Sequence, residues 1–191
     1  AWNEAVPLLA TGRKVYTMDL PGHGLSDKPR AHYSLSFLAR ALRSFITGLE
    51  IDDPIIAGWS LGGAVVLQYR MEYGETAPAM ILVCSGGLGR ELNPSLRLMT
   101  LPVIGELMQR PTPRGTRLYY AGIFHDSSLV TDELIAFTCK QFRRFQAGPT
   151  YLSTLRTNVG LEGQKRSVVG PIVQSLPSIR IPTLLVWGRQ D

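Results

Sequence analysis

The stretch Pro54-Ile55-Ile56-Ala57-Gly58-Trp59-Ser60-Leu61-Gly62-Gly63 decides the fold of this chain of 191 residues. Its first six residues form a short, continuously apolar run, which is typical of a parallel strand with helices on both faces. The segment that follows at once, Leu61–Tyr73, is predicted to be a helix. Gly58 and Gly62 stand two residues either side of Ser60, so the strand and the helix can approach without side-chain collision. We therefore predict a strained strand-to-helix turn with Ser60 at its tip.

Ser60 at such a turn is a candidate nucleophile. A hydroxyl attacks a carbonyl well only if it is presented free of its neighbours, beside a general base and oxyanion donors. The helix that begins at Leu61 directs its amino end at this position, so the Leu61 backbone N–H and the helix dipole both favour developing negative charge. Trp59 has two interpretations, a wall of an acyl pocket or an aromatic packed against the sheet. The pattern from Gly58 to Gly62, in this strand–helix context, predicts a serine hydrolase.

Further apolar runs continue the alternation of strands and helices on both sides of the turn. Strands are also predicted at residues 14–20, 80–84 and 182–187. Ser34 is the predicted N-cap of a helix whose apolar residues lie on one face. This order indicates right-handed parallel crossovers, and hence an α/β fold with a mostly parallel, doubly wound sheet.

A long insertion separates the last two predicted strands. Residues 87–180 far exceed an ordinary connection of a few residues, and they contain helical patterns interrupted by prolines. Their apolar faces need a partner, and the carboxyl edge of the sheet is where ligands bind in open α/β folds. We therefore predict a helical cap over the active site, residues 87–180, on a core formed by residues 1–86 and 181–191.

Composition restricts the remaining function classes. The chain is 45% hydrophobic and 18% charged, and no apolar run approaches the roughly 18 residues of a membrane span. Two cysteines are predicted to be free thiols, and no Cys/His cluster has metal-ligand spacing, so neither a metal nor a cofactor is expected.

The net charge of +5 arises mostly in the insertion. It is interpreted as a solvated helical face, with attraction of anionic substrates as the alternative, and no aromatic interleaving indicates nucleic-acid binding. The opening Ala-Trp-Asn-Glu carries no export signal, so we expect a cytoplasmic protein that acts on a small molecule. The sequence leaves the oligomeric state open.

Three stretches together resemble the α/β-hydrolase superfamily. They are Asp19-Leu20-Pro21-Gly22-His23-Gly24-Leu25-Ser26-Asp27, the turn at residues 58–63, and Ile181-Pro182-Thr183-Leu184-Leu185-Val186-Trp187-Gly188-Arg189-Gln190-Asp191. In that family the acid of the catalytic triad commonly sits in a Gly-x-x-Asp turn after the strand that follows the cap, and Asp191 matches this position. Ser85 occupies the one competing acid position and cannot serve. The resemblance implies Ser60 as nucleophile and Asp191 as acid.

The resemblance also implies that none of the three histidines of the chain is the triad base. The order in the family is Ser, acid, then His, whereas His23 and His32 precede Ser60 and His125 lies in the insertion. The family's His in the Gly-His-Gly loop is structural. We therefore expect the base, the second oxyanion donor and the first strands outside these 191 residues, and we predict a fragment that lacks efficient turnover by itself.

The resulting hypothesis is hydrolysis of an ester or similar acyl bond in a small, largely apolar substrate, through an acyl-enzyme at Ser60. Within enzymes, the alternative is cleavage of carbon–carbon bonds in ring-fission products, or perhydrolase-type activity, with the same triad. From another class, the alternative is a non-catalytic binding protein on a hydrolase fold. Dehalogenase and epoxide-hydrolase chemistry is disfavoured, because those relatives place Asp where this chain has Ser60.

Overall fold

From Ile56 to Val83, strand, helix and strand follow one another along the chain as predicted. The computed structural model describes residues 2–74, 76–145 and 148–190. Its helices and strands are, in order, α1 (Ala5–Leu9), α2 (Leu35–Gly48), β1 (Ile56–Trp59), α3 (Leu61–Tyr73), β2 (Met80–Val83), α4 (Pro94–Leu98), α5 (Ile104–Met108), α6 (Pro113–Ala121), α7 (Asp132–Phe145), α8 (Gly148–Asn158), β3 (Val159–Gly160), β4 (Gly163–Gln164), α9 (Arg166–Ser175) and β5 (Thr183–Val186).

The main sheet is parallel, with its three strands in the order β1, β2, β5. The register places Trp59, Val83 and Val186 side by side at the carboxyl ends of the strands. All three strands therefore end at the same edge of the sheet, the edge at which Ser60 stands. This arrangement confirms the predicted α/β fold with a mostly parallel sheet.

The core lies on one face of this sheet, where α2, α3 and α9 pack. Leu38 of α2 and Ile172 of α9 are fully buried, and Leu82 of β2 is 2% exposed. Burying one such side chain stabilises the fold by about 1.5–3 kcal/mol. These contacts position β1 and α3, and so the turn between them.

The opposite face of the sheet carries no helix in the part of the chain that the structure describes. Trp59 is 48% exposed, and every residue of β5 is exposed. The prediction of helices on both faces is therefore met on one face only among these residues. An apolar run indicates that a strand avoids water, but it does not indicate which segment covers it.

Residues 14–20 do not form the predicted strand. They have no regular secondary structure, and no described segment pairs with them. Apolar and β-prone residues favour a strand only when a neighbour supplies partners for the backbone N–H and C=O groups. The prediction of a strand here is wrong because no described segment supplies those partners.

The predicted insertion is largely helical, with α4 to α8 between β2 and the hairpin formed by β3 and β4. Pro102 separates α4 from α5, as the sequence predicts. The helices α6 and α7 pack around a small core of their own, formed by Val130, Ile135 and Cys139. Nowhere in residues 2–74, 76–145 and 148–190 is a helix both long and apolar enough to cross a membrane.

The last helix of the predicted insertion, α9, packs on the main core through Ile172. Pro171 lies inside this helix, where a proline removes one helical hydrogen bond, and no element was predicted for this segment. The cap boundary at residue 180 stays a prediction.

Helix α8 joins the insertion to the core at both of its ends. At its start, the Thr150 hydroxyl donates to the Gly22 carbonyl at 2.6 Å. At its end, the buried Asn158 side chain donates to the Tyr33 carbonyl at 2.9 Å. A buried amide left without partners would cost about 1–3 kcal/mol. The helix is therefore held along the segment that contains Gly22 and Tyr33.

An arginine of α8 also holds the first part of the insertion. The Arg156 guanidinium donates to both carboxylate oxygens of Glu106 on α5, at 2.7 and 3.0 Å. The same guanidinium donates to the carbonyls of Thr100 and Leu101, each at 3.1 Å. The hydrogen bonds that Arg156 donates to the Glu106 carboxylate lower the pKa of Glu106 to about 2. Arg156 thereby connects α8 to α5 and to the turn before it.

Gly58 is the point of closest approach between β1 and α3. A Cβ at this position would lie 2.3 Å from the Gly62 carbonyl oxygen and 2.6 Å from the Gly63 nitrogen. A Cβ at Gly63 would lie 2.3 Å from the Ser85 Oγ, whereas one at Gly62 would meet no described atom within 4 Å. The predicted clearance is therefore provided by Gly58 and Gly63, and not by Gly62.

We expect Gly58→Ala to lower the free energy of unfolding of the full-length protein by about 2–3 kcal/mol, because the added methyl group meets the backbone of α3. Gly62→Ala is the matched control. Its methyl group enters open space in a helix, where alanine is favoured over glycine by up to about 1 kcal/mol. Urea unfolding of both variants measures the difference, and equal destabilisation by the two would contradict this packing.

Glu106→Gln is expected to destabilise the full-length protein at pH 7, with an effect that shrinks as the pH falls. The folded-state pKa lies below the unfolded value of about 4.5, so the carboxylate stabilises the fold fully above that value and loses this contribution as the pH falls toward 2. Urea midpoints at pH 7, 5, 4 and 3 measure how the stability difference between Glu106→Gln and wild type depends on pH. Glu133→Gln is the charge-matched control. A difference from wild type that is the same at every pH would count against a stabilising ion pair between Arg156 and Glu106.

Candidate active site

Ser60 occupies the turn between β1 and α3 with a backbone φ of 52° and ψ of −114°. Residues other than glycine rarely adopt such a positive φ. The Ser60 N–H donates to the Val83 carbonyl at 2.9 Å, which ties this conformation to the end of β2. Ser60 is exposed, and its side chain makes no capping hydrogen bond to α3. The hydroxyl is therefore not engaged in capping its own helix, which is consistent with the predicted role of a serine at such a turn.

The carbonyl of Ser60 accepts three backbone hydrogen bonds. They come from the N–H groups of Gly63 at 3.0 Å, Ala64 at 3.3 Å and Gly86 at 2.9 Å. Leu61 is the first residue of α3, so its N–H has no acceptor within the helix and lies at the positive end of the helix dipole. The predicted oxyanion donor thus lies beside the predicted nucleophile.

Trp59 directly precedes Ser60 and is half-exposed. Its neighbour in the register is Val83, on the sheet face that no described helix covers. The side chain is therefore available to a substrate or to a covering segment. Its role as a pocket wall or as a packing residue stays a prediction.

His23 lies in a loop that is stabilised by backbone hydrogen bonds within the loop. Its Nδ1 is 3.1 Å from the Pro21 carbonyl, and burial lowers the pKa of the imidazole. The Asp19 carboxylate accepts from the Leu25 N–H at 2.9 Å and fills the space where a Cβ of Gly24 would stand. These contacts support a structural role for His23.

Asp191, the predicted acid, lies outside the described residues. The strand that precedes it, β5, ends beside β2 at the edge that carries Ser60. Ser85, at the competing acid position, is 4% exposed, and its hydroxyl donates to the Gly86 carbonyl at 2.9 Å. The assignment of the acid to Asp191 stays a prediction.

A surface cavity of about 590 Å³ lies beside the loop that contains His23, with Pro21 and Ser26 in its wall. Its walls come from α2 and from the segment before it, and include Asp27, Phe37 and Arg40. Neither Ser60 nor Trp59 lines it, so this cavity is not the space in front of the hydroxyl. In the part of the chain that the structure describes, no three His, Cys, Asp or Glu side chains are placed to hold a metal ion.

The sequence analysis missed the residues that support the turn from the end of β2. Gly86 donates to the Ser60 carbonyl, and the neighbouring Gly87 N–H donates to Gln164 Oε1 at 2.8 Å. Two adjacent glycines after a strand are a signal of close backbone approach that could have indicated this loop. Gln164 is 77 positions away from Gly87, and no local pattern indicated its contact.

Two relatives align with nearly the whole chain. An uncharacterized protein of Mycobacterium tuberculosis is 39% identical over 199 residues, with 100% of this chain and 57% of that protein covered. The 2-hydroxy-6-oxo-6-phenylhexa-2,4-dienoate hydrolase of Burkholderia cepacia is 29% identical over 187 residues, with 97% of this chain and 63% of that enzyme covered. The chain thus spans 57% and 63% of the lengths of these two relatives.

The fold is shared with a solved structure of the meta-cleavage product hydrolase from Pseudomonas fluorescens IP01. The TM-score is 0.73 at 21% identity, and the match covers 100% of this chain and 66% of that one. A sequence profile described as the alpha/beta hydrolase fold matches residues 1–191. Because this match extends over the whole sequence and agrees with the observed sheet and turn, the chain belongs to the α/β-hydrolase fold family.

Proposed function

We propose that the full-length protein is a serine hydrolase that attacks an ester or similar acyl carbon through Ser60. The observation that carries the proposal is the backbone of Ser60, which has a positive φ between β1 and α3 and leaves the hydroxyl exposed and uncapped. A serine that only capped a helix would accept a hydrogen bond from that helix through its side chain, as Ser34 does at α2.

In the proposed reaction, the Ser60 hydroxyl adds to the carbonyl carbon while a general base takes its proton. The oxyanion that forms receives a hydrogen bond from the Leu61 N–H at the amino end of α3. Collapse of this intermediate expels the leaving group, which the protonated base protonates, and water then releases the acid from Ser60. No cofactor takes part.

The base in this proposal is a histidine outside the 191 residues, oriented by Asp191. His23 is a poor candidate, because its Nδ1 faces the Pro21 carbonyl and the residue is partly buried. The relatives are longer than the matched region, which leaves space for such a residue. On this proposal the 191 residues alone lack efficient turnover.

A small, largely apolar substrate is supported by the side chains around the turn and in the first helices of the insertion. Trp59 is half-exposed beside Ser60. On α5 and directly before it, Val103, Ile104, Leu107 and Met108 are also 40–67% exposed, which is unusual for apolar side chains in one short segment. These residues form the lining of the acyl site if the insertion acts as a cap.

A second candidate is hydrolysis of a carbon–carbon bond, and the relative from Burkholderia cepacia favours it. That enzyme is named for a 6-oxo-6-phenylhexadienoate, a substrate with a ketone that a serine can attack. Nucleophile, oxyanion donor, acid and base would be the same as for an ester. Only the leaving group differs, since a carbon rather than an oxygen must be protonated.

We expect a fluorophosphonate probe to label Ser60 of the full-length protein, and Ser60→Ala to lower kcat for p-nitrophenyl butyrate by about 10⁴-fold or more. The reason is that no other group replaces the attacking oxygen. Mass spectrometry locates the adduct, and Ser44→Ala, at an exposed serine of α2, is the control. Absence of an adduct at Ser60 in folded full-length protein would favour a non-catalytic binding protein.

A substrate panel separates the two enzymatic candidates. We expect p-nitrophenyl butyrate to be hydrolysed with a kcat/KM at least tenfold above that for 2-hydroxy-6-oxo-6-phenylhexa-2,4-dienoate, because the p-nitrophenolate leaving group needs less assistance than a carbanion. Stopped-flow absorbance follows both substrates on the same preparation. The reverse order would assign the protein to carbon–carbon bond hydrolysis, with Ser60→Ala as the control for each substrate.

A further inference from the structure

Two segments that connect the insertion to the core lie against each other. The loop after β2 leads into the insertion, and the hairpin of β3 and β4 leads back from it. The Gln164 N–H donates to the Arg90 carbonyl at 2.9 Å, and the Arg90 Nε donates to the Gln164 carbonyl at 3.1 Å. A Cβ at Gly163 would lie 1.9 Å from the Arg90 carbonyl oxygen. The two segments are therefore in direct backbone contact.

The side chain of Gln164 makes this contact specific. Its Oε1 accepts from the Gly87 N–H at 2.8 Å, and its Nε2 donates to the Gly89 carbonyl at 2.6 Å. One amide thus satisfies a donor and an acceptor of the loop, as a neighbouring strand would. Since Gln164 is only half-exposed, loss of these bonds would leave loop groups without partners.

The loop held by Gln164 is bonded to the turn that carries the candidate nucleophile. Gly86 precedes Gly87, and its N–H donates to the Ser60 carbonyl at 2.9 Å. A Cβ at Gly86 would lie 3.4 Å from both the Gln164 Oε1 and the Ser60 carbonyl oxygen. The amide of Gln164 and the carbonyl of Ser60 therefore both lie beside Gly86.

The direction of the Ser60 carbonyl also decides the direction of the Leu61 N–H. The two groups belong to one planar trans peptide unit, so they point in opposite directions and cannot rotate independently. A loop that shifts Gly86 would remove one of the three donors that hold the Ser60 carbonyl, and would leave this peptide unit, with the predicted oxyanion donor, less firmly oriented. Oxyanion stabilisation depends on donors fixed before the reaction, so a small rotation of this unit weakens catalysis.

We propose that Gln164 is a positioning residue that holds the Leu61 N–H in the direction needed by the oxyanion, through Gly87, Gly86 and the Ser60 carbonyl. The proposal rests on the proposed function of Ser60. It adds a route by which the insertion affects the chemistry, because Gln164 lies on the hairpin that directly follows α8. Gln164 acts at the turn only through the loop after β2.

The test uses Gln164→Met in the full-length protein, because methionine has nearly the same length and lacks both hydrogen-bonding groups. We expect kcat for p-nitrophenyl butyrate to fall roughly tenfold, as the loss of two neutral hydrogen bonds that support the donor suggests, with KM within twofold of wild type. The affinity for a boronic acid, which forms a tetrahedral adduct, should fall in parallel with kcat.

Two further variants separate positioning from loss of folding. Gln164→Glu keeps an acceptor for the Gly87 N–H and should retain a kcat between those of Gln164→Met and wild type. Glu162 lies on the same hairpin as Gln164 and forms an ion pair with Arg90 at 2.9 Å. Glu162→Gln is the matched control, because it removes this ion pair while the Gln164 amide keeps its hydrogen bonds. It should keep wild-type kcat and KM. Urea midpoints identify any variant that is globally destabilised.

Amide hydrogen exchange makes the result independent of turnover. Faster exchange at Gly86 and Gly87 in Gln164→Met, but not in Glu162→Gln, is the expected result. Unchanged kcat in Gln164→Met, a rise in KM alone, or equal loss in Glu162→Gln would overturn the proposal. Turnover that survives Ser60→Ala would instead overturn the proposed function. Unchanged exchange at Gly86 and Gly87 in Gln164→Met would overturn the positioning role of Gln164, whatever the turnover.

Discussion

The rest of the structure depends on the peptide unit that joins Ser60 to Leu61. The φ of 52° at Ser60 belongs to a region that costs about 1–3 kcal/mol for such a residue. It persists because the surroundings over-determine it, with the Ser60 N–H bonded to Val83 and the Ser60 carbonyl bonded to three N–H groups. Gly58 and Gly63 allow these partners to approach. The turn is therefore a joint property of β1, α3 and the loop after β2, although only its short motif is visible in the sequence.

The central strand β2 transmits this constraint across the sheet. The Val83 carbonyl accepts from the Ser60 N–H on one side, and the next residue, Cys84, donates its N–H to the Val186 carbonyl on the other. Because these bonds leave adjacent residues, a slip of β2 in register would displace the turn relative to β5 and would also exchange the two faces of the strand. The position of the nucleophile relative to the strand before Asp191 is thus determined by backbone pairing, and side-chain changes elsewhere need not disturb it.

Local patterns predicted the elements whose formation depends on residues within about four positions. Helix α3 has the predicted bounds, and Ser34 caps α2 through the Phe37 N–H. Prediction failed where a distant partner decides the outcome. Among the described residues no segment pairs with residues 14–20, α9 packs on the core through Ile172 despite its internal proline, and Gln164 meets a loop 77 positions away. Such contacts leave no periodicity in a single sequence, so the turn at Ser60 could be predicted while its support could not.

The insertion contains helices that are bonded to the core and helices that pack mainly on each other. Helix α8 and the hairpin after it are bonded to the core at Thr150, Asn158 and Gln164, so a change in their backbone reaches the segment at Gly22 and the loop behind Ser60. Helices α6 and α7 instead pack on each other around Val130, Ile135 and Cys139. Tyr119 also links α6 to α8 through a hydrogen bond with Tyr151, whereas the hydrogen bonds to the Ser60 carbonyl come from α3 and Gly86. We therefore expect substitutions in α6 and α7 to disturb the turn at Ser60 less than substitutions in α8 and the hairpin, because the latter are bonded directly to the segment at Gly22 and to the loop after β2.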